Sequence, residues 1–320
     1  MKLPFSLPLR IFLALFLCLS LLSCNSDEPK AASKKGTRAP LLVGVMPSMD
    51  FLPLAVAQRE GYFARLDLPL VLHKFYSANE RDAALQAGSL DGTVIDYTGA
   101  VLQKAGGVPL ALTSRCDAPF FVVAGKNSGV ARVADLAGKT LAVSQNTVID
   151  YVVDMALNSA GLSATDVAKT EINKIPVRFE MLRNSKVDAT GLPNPFADMA
   201  KIDGDTVLVS NFDMGLSITG ILFSEKAIIE KAENIRGFYT AYNMGVEYLA
   251  THPVSDIKDI LVSQFGYPEH VAAVAVLPAY TKATAPDRES LASVVRWLEK
   301  REIIKPGFAI DTLVNDAFVR

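Results

Sequence analysis

Short apolar runs alternating with segments of helical period organise the chain from residue 41 onward. Leu41, Leu42, Val43 and Val45 make a run broken only by Gly44, as a strand covered on both faces requires. The run ends at Met46-Pro47-Ser48. A helical segment follows with Leu54, Val56 and Ala57 on it and Pro53 in the first turn, where proline is tolerated. Ser48 and Asp50 are both residues suited to cap that helix. Strand, loop and helix start together turn free backbone N–H groups toward the crevice beyond the strand. Residues 47–51 therefore read either as one wall of a binding cleft or as an ordinary β-α corner.

The same alternation continues. Strands are expected at 70–75, 91–95, 108–113 and 120–124, with helices at 81–87, closed by Gly88, and at 100–105. The pattern restarts near Lys126. It gives a short helix at 133–137, strands at 139–143, 187–192 and 207–209, and helices at 148–160 and 177–184. This alternation specifies an α/β architecture with mostly parallel sheets. Residues 85–100 align without a gap on residues 182–197. Asp91 falls on Asp188, Thr93 on Thr190, Ile95 on Leu192 and Asp96 on Pro193. A repeat of this kind predicts two domains of one design, although a generic helix-turn-strand could also produce it.

Past the second domain come a strand at 216–223 and helical stretches at 227–230, 235–250, 256–265, 270–275 and 290–300. The second domain cannot use that much helix, so the segment is expected to return to the first. The expected division is 40–125 with 216–320 as one discontinuous domain and 126–215 as the other. Two crossings, near 123–126 and 213–218, would form a hinge.

Composition changes the picture mainly at the N-terminus. Lys2 and Arg10 precede an apolar stretch at 11–22 that is short for a membrane span, so residues 1–23 read as a signal peptide. Leu21-Leu22-Ser23-Cys24 resembles the bacterial lipobox, which would make Cys24 an acylated first residue; a plain secretory signal is the alternative. Residues 24–39 are polar, rich in Ser, Lys, Gly and Pro, and read as a flexible tether. Removing 1–23 removes two bases and no acid, taking the formal net charge from −2 to −4. That balance argues against a nucleic-acid partner. Cys116 is then the one remaining thiol, so no internal disulfide is available.

The resemblance rests on several pieces in order: Pro47 with Pro53-Leu54-Ala55-Val56-Ala57 and Gly61-Tyr62-Phe63; Ala87-Gly88-Ser89-Leu90-Asp91; Gly138-Lys139-Thr140 with Ser144-Gln145-Asn146-Thr147; and Leu192-Pro193-Asn194-Pro195-Phe196. Over residues 40–320 the chain resembles the substrate-binding proteins of ABC transporters, in the branch with the nitrate, taurine, alkanesulfonate and thiamine-precursor binders. The resemblance implies a two-lobed type II periplasmic binding protein fold, its two doubly wound sheets joined by a hinge of two crossover strands. It also implies a small-molecule ligand, a permease with its ATPase as partner, and a monomer held at the cell envelope by its lipid anchor, facing periplasm or exterior.

Carried over position by position, the resemblance implies a site of Met49, Asp50 and Phe51 from the first loop and Asp96, Tyr97 and Thr98 from the third strand end. Arg115 and Asp117 would come from before the crossover, Asn146, Thr147 and Tyr151 from a helix start in the second lobe, Asn194 and Phe196 from the repeat, and Asp213 from the return. Asn194 stands where many relatives carry glutamate. Each residue also has a plainer role: Asp50 and Asn146 as caps, Phe196 as core, Arg115 and Asp117 as a pair. Four aromatics and several acids favour a heteroaromatic or organic-nitrogen compound such as a vitamin precursor. An oxyanion such as a sulfonate or nitrate is the second reading, because it would want arginine and helix N-termini and Arg115 is the one base placed in the cleft. The three histidines lack metal-ligand spacing, and neither a P-loop nor a nucleophile elbow is present. No catalysis, metal or cofactor is therefore expected. A cofactor-biosynthesis enzyme on the same fold and a sensor input protein stand as alternative classes.

Overall fold

Apolar runs covered on both faces pair here into two five-stranded sheets. The computed structural model describes residues 38–320, so the signal segment, Cys24 and all but the last two tether positions lie outside the described residues. The strands are β1 (Leu41–Val45), β2 (Leu70–Lys74), β3 (Gly92–Asp96), β4 (Leu110–Arg115), β5 (Phe120–Ala124), β6 (Thr140–Val143), β7 (Ala168–Glu171), β8 (Ala189–Pro193), β9 (Thr206–Ser210) and β10 (Thr219–Ser224). One sheet has the order β2-β1-β3-β10-β4 and the other β7-β6-β8-β5-β9. In each, the first three strands are parallel, and the fourth runs antiparallel to both its neighbours. Helices between the strands complete the expected α/β architecture.

The internal echo is a structural repeat. Asp91 Oδ2 accepts from the Leu42 N–H at 2.8 Å, and Asp188 Oδ2 accepts from the Thr140 N–H at 2.8 Å. Thr93 Oγ1 donates to the Gly44 carbonyl at 2.9 Å, and Thr190 Oγ1 to that of Ala142 at 2.8 Å. In both halves the Asp-small-Thr unit ties the third strand to the first. A buried carbonyl gains a side-chain donor, and an N–H at or next to the start of the first strand gains an acceptor.

The crossings differ from expectation. Because β5 pairs with β8 and β9, it belongs to the second sheet, and the chain leaves the first sheet between Arg115 and Phe120, earlier than the expected 123–126. The return lies between Ser210 and Thr219. The two crossings bind each other: the Cys116 N–H donates to the Thr219 carbonyl at 2.9 Å, and the Phe120 N–H to Asn211 Oδ1 at 2.7 Å. Strand β7 was not expected at all. Its sequence, AKTE, is polar and largely exposed at a sheet edge, so no apolar run marks it.

Two helical contacts position the rest. The helix Ala232–Thr251 lies against Leu52–Arg59 so closely that a Cβ on Gly245 would stand 2.2 Å from the Pro53 carbonyl oxygen. The helix Arg288–Lys300 touches both the Tyr97–Ala105 helix and the second sheet's Val148–Ser159 helix. Against the latter, Trp297 Nε1 donates to Asp154 at 2.9 Å and Arg301 pairs with Asp150 at 2.6 Å.

Candidate functional site

The carboxyl ends of the parallel strands in the two sheets face one cavity with about 520 Å³ of space free of protein atoms. That space, which includes open solvent at its mouth, lies in the crevice position usual for α/β sheets. The first sheet contributes Met46, Ser48, Asp50, Ala78, Arg81, the end of β3 through Asp96, and Thr219. The second contributes Phe120, Ser144, Thr147–Ile149, Asn173, Ile175, Arg178 and Pro193.

Three of the expected site residues line this space: Asp50, Asp96 and Thr147. Thr147 caps the Val148–Ser159 helix by accepting from the Ile149 N–H at 3.3 Å, so this twelve-residue helix starts at the cavity. Asp96 caps the Tyr97–Ala105 helix through the Gly99 N–H at 2.8 Å, is bonded by the Thr98 hydroxyl, and pairs with Arg81 at 3.2 Å. Its charge is committed to the protein.

The other expected residues do not line the cavity. Phe51 stacks on Phe265, and Met49 is buried with its carbonyl accepting from Tyr280 Oη. The helix begins at Tyr97, earlier than expected, which buries the ring; its Oη accepts from the Asp287 N–H at 3.0 Å. Tyr151 packs edge-on against Trp297 and donates to Ser293, and Phe196 packs edge-on against Phe179. Arg115 lies 3.8 Å from Asp117, which accepts from Thr281. Asn146 takes a positive φ of 58° and donates its N–H to Asp150, while Asp213 accepts from the Ser210 backbone and hydroxyl. Asn194 is buried beside Pro193 with its Oδ1 unpartnered. The aromatic walls expected from the sequence are thus absent among the described residues; Phe120 is the one aromatic that lines the cavity.

Two arginines were missed, and the repeat holds the signal for them. Carrying the alignment of 85–100 on 182–197 four positions back places Arg81 on Arg178, and both line the cavity. Arg81, 3% exposed, pairs with Asp82 at 2.8 Å and with Asp96. In the second half Asp82 is replaced by Phe179 and Asp96 by Pro193. Arg178, 1% exposed, therefore has no acidic partner among the described residues. Its Nη1 donates to the carbonyls of Ile172 at 2.9 Å and Asn173 at 3.1 Å, and its Nε to that of Gly191 at 3.4 Å. Burial pulls its pKa down to about 10, which still leaves it charged at neutral pH.

Asp50 faces the same space and is 2% exposed. Burial pushes its carboxyl up to about 7, against the lowering effect of hydrogen bonds from Thr219, Ala118 and Ser48; nearby Asp117 adds to the rise. Two groups with no ion-pair partner among the described residues thus line one cavity: a permanent cation and an acid that is half-neutral near pH 7. The start of the Val148–Ser159 helix opens onto the same cavity, and the hydroxyls of Ser48, Thr219 and Ser144 there donate to Asp50 Oδ2, Asp50 Oδ1 and Asn173 Oδ1. Among the described residues, no group of three His, Cys, Asp or Glu side chains could hold a metal ion.

A family model described as NMT1/THI5 like matches residues 48–255. No curated protein gives a significant match. Among solved structures, the periplasmic aliphatic sulphonate binding protein SsuA from Escherichia coli is similar at 18% identity, over 87% of this chain and 97% of that one, with a TM-score of 0.74. The periplasmic nitrate-binding protein NrtA from Synechocystis PCC 6803 is similar at 12% identity, over 86% of each chain, with a TM-score of 0.71. The desulfurization enzyme DSZB is similar at 13% identity, over 88% of this chain and 97% of that one, with a TM-score of 0.63. These likenesses show the two-lobed fold of periplasmic binding proteins.

Proposed function

The chain belongs to the NMT1/THI5-like family, and from that premise we propose that it is the solute-binding component of an ABC importer. In this reading it captures a small oxyanion, a sulfonate or nitrate, between its two lobes. The observation that carries the reading is Arg178, a buried guanidinium whose repeat counterpart has two carboxylates where it has none. A buried cation of this kind is stable when a ligand supplies the missing charge. The similar proteins that bind sulphonate and nitrate support the same chemistry. The heteroaromatic preference drawn from the sequence loses its footing, because Phe51, Tyr97, Tyr151 and Phe196 pack elsewhere.

We read the protein as non-catalytic, although one similar structure is an enzyme. Cys116 does not line the cavity, and burial pushes its thiol up, which keeps it protonated. The first lobe takes β1–β4 and β10 and the second takes β5–β9. The proposal includes a monomer at the cell envelope, anchored through acylated Cys24 and the 24–39 tether, which hands its ligand to a permease and its ATPase.

Calorimetry with methanesulfonate, nitrate and neutral pyrimidines tests the ligand class. The anions are expected to bind and the pyrimidines not to. R178Q is expected to weaken anion binding by roughly 30-fold or more, the usual scale for removing one partner of a buried charge pair. Pyrimidine binding with both anions inert would overturn the anion reading.

A further inference from the structure

Asp50 stands in a place where an ionised carboxylate and a captured anion would repel one another. It lines the same space as Arg178 and is itself buried. Its two oxygens are not equivalent. Oδ1 is saturated by donors from both crossings, accepting from the Ala118 N–H at 3.0 Å and from Thr219 Oγ1 at 3.0 Å. Oδ2 has one neighbour, the rotatable hydroxyl of Ser48 at 3.3 Å. The crossings therefore fix the carboxyl in place through Oδ1, and Oδ2 is the atom left to take a proton.

Resting on the anion-binding reading, we propose that Asp50 is a specificity-determining residue that is protonated in the liganded protein and donates from Oδ2 to the captured anion. The proton comes from solvent: ionised Asp50, one proton and a monovalent anion give a neutral carboxylic acid hydrogen-bonded to that anion. Ser48 can then turn its hydroxyl to accept or to donate, so the exchange leaves no buried group unpaired.

The other titratable and charged groups around Asp50 act in a consistent way. Asp117 and Cys116 on the first crossing, Tyr242 on the Ala232–Thr251 helix and Tyr280 before the last helix offer no positive charge to hold the carboxylate ionised. Across the cavity, Arg81 is committed to Asp82 and Asp96. Arg178 is the one free cation among the lining residues, and a bound anion would neutralise it. The free protein's Asp50 titrates at about 7, and an anion beside it moves that point upward. Below that pH the proton is already present and affinity is flat. Above it, each captured anion must bring a proton in, and affinity falls.

The chemistry also sets a selection rule. An anion with no proton of its own needs neutral Asp50, whereas a dianion adds a second repulsion that this single acid cannot remove. The site therefore selects monovalent anions.

Methanesulfonate and nitrate stay ionised throughout the working range, so any pH dependence of their binding belongs to the protein. Calorimetry on the wild-type chain is expected to show affinity falling about 30-fold between about pH 6 and pH 8.5. At the upper pH, titrations in two buffers of different ionisation heat should report uptake of about one proton per anion. D50N should bind with little pH dependence and without proton uptake. Should D50N fail to fold, carboxyl NMR of aspartate-labelled wild type provides the attribution, since one aspartate must gain a proton on binding. Equal affinity at both pH values without uptake would overturn the coupling and leave the anion reading standing. Uptake that persists in D50N would also overturn it. Failure of both anions to bind near pH 6 would overturn the anion reading and this inference together.

Discussion

A buried guanidinium is costly unless a counter-charge or dense hydrogen bonding compensates it, and Arg81 and Arg178 solve that problem in different ways. Arg81 uses two carboxylates; Arg178 uses three backbone carbonyls, which stabilise the hydrogen-bonding pattern but leave its charge available. Neither was legible as a site residue, because a single arginine within a helical segment reads as a solvated face. The signal lay in the comparison of the halves, where the arginine is kept and both acids are lost. Tyr97 is the converse. Its place directly after β3 suggested a ligand wall, but Asp96 caps the helix, so Tyr97 is the first helical residue and its hydroxyl meets the Asp287 N–H. Tyr97→Phe should therefore leave anion affinity unchanged while destabilising the fold by about 1–3 kcal/mol, the cost of stranding a buried backbone donor. Calorimetry paired with urea denaturation would separate the two effects; a large loss of affinity would return Tyr97 to the site.

At the level of elements, strands buried on both faces were readable because burial and apolar composition coincide there; β1, β3 and β8 are the clearest cases. Strand β7 was not, since its partner β6 supplies its hydrogen bonds and nothing demands that its side chains be apolar. The first crossing was misplaced for a related reason: β5 is as apolar as any strand of the first sheet, and only pairing reveals which sheet it joins. Helix packing depends on details that periodicity does not report. Gly245 permits the Ala232–Thr251 helix to meet the Pro53 carbonyl, directly beyond the loop that carries Ser48 and Asp50. Gly245→Ala should force the helices apart and reduce stability by about 1–3 kcal/mol, as overpacking does. A denaturation midpoint equal to wild type would show that the contact relaxes freely.

Across the molecule, three contacts among the described residues join the first lobe to the second at Asp198 and at Lys174 and Ile175, the last being a cavity residue. Tyr267 Oη donates to Asp198 at 2.6 Å, the Ile175 N–H donates to the Tyr76 carbonyl at 3.2 Å, and Lys174 approaches Glu80 at 3.3 Å. Lys174 and Glu80 are exposed, so that pair contributes little, whereas the Tyr267–Asp198 bond is half-buried. Tyr267→Phe is accordingly expected to shift the unliganded protein toward an open form, with a larger radius of gyration by X-ray scattering. Anion affinity should fall by up to about tenfold, the scale of one hydrogen bond to a charged group. Unchanged scattering and affinity would remove this contact from the closing mechanism. The exchange of strands between the sheets has a consequence for the order of assembly. All five members of the second sheet lie together between Phe120 and Ser210, so that half is complete as soon as Ser210 has been made. In the first sheet β3 and β4 are held apart by β10, which is synthesised about a hundred residues after β4. During synthesis the N-terminal sheet therefore cannot be completed until β10 emerges, by which point every strand of its younger neighbour has already been made.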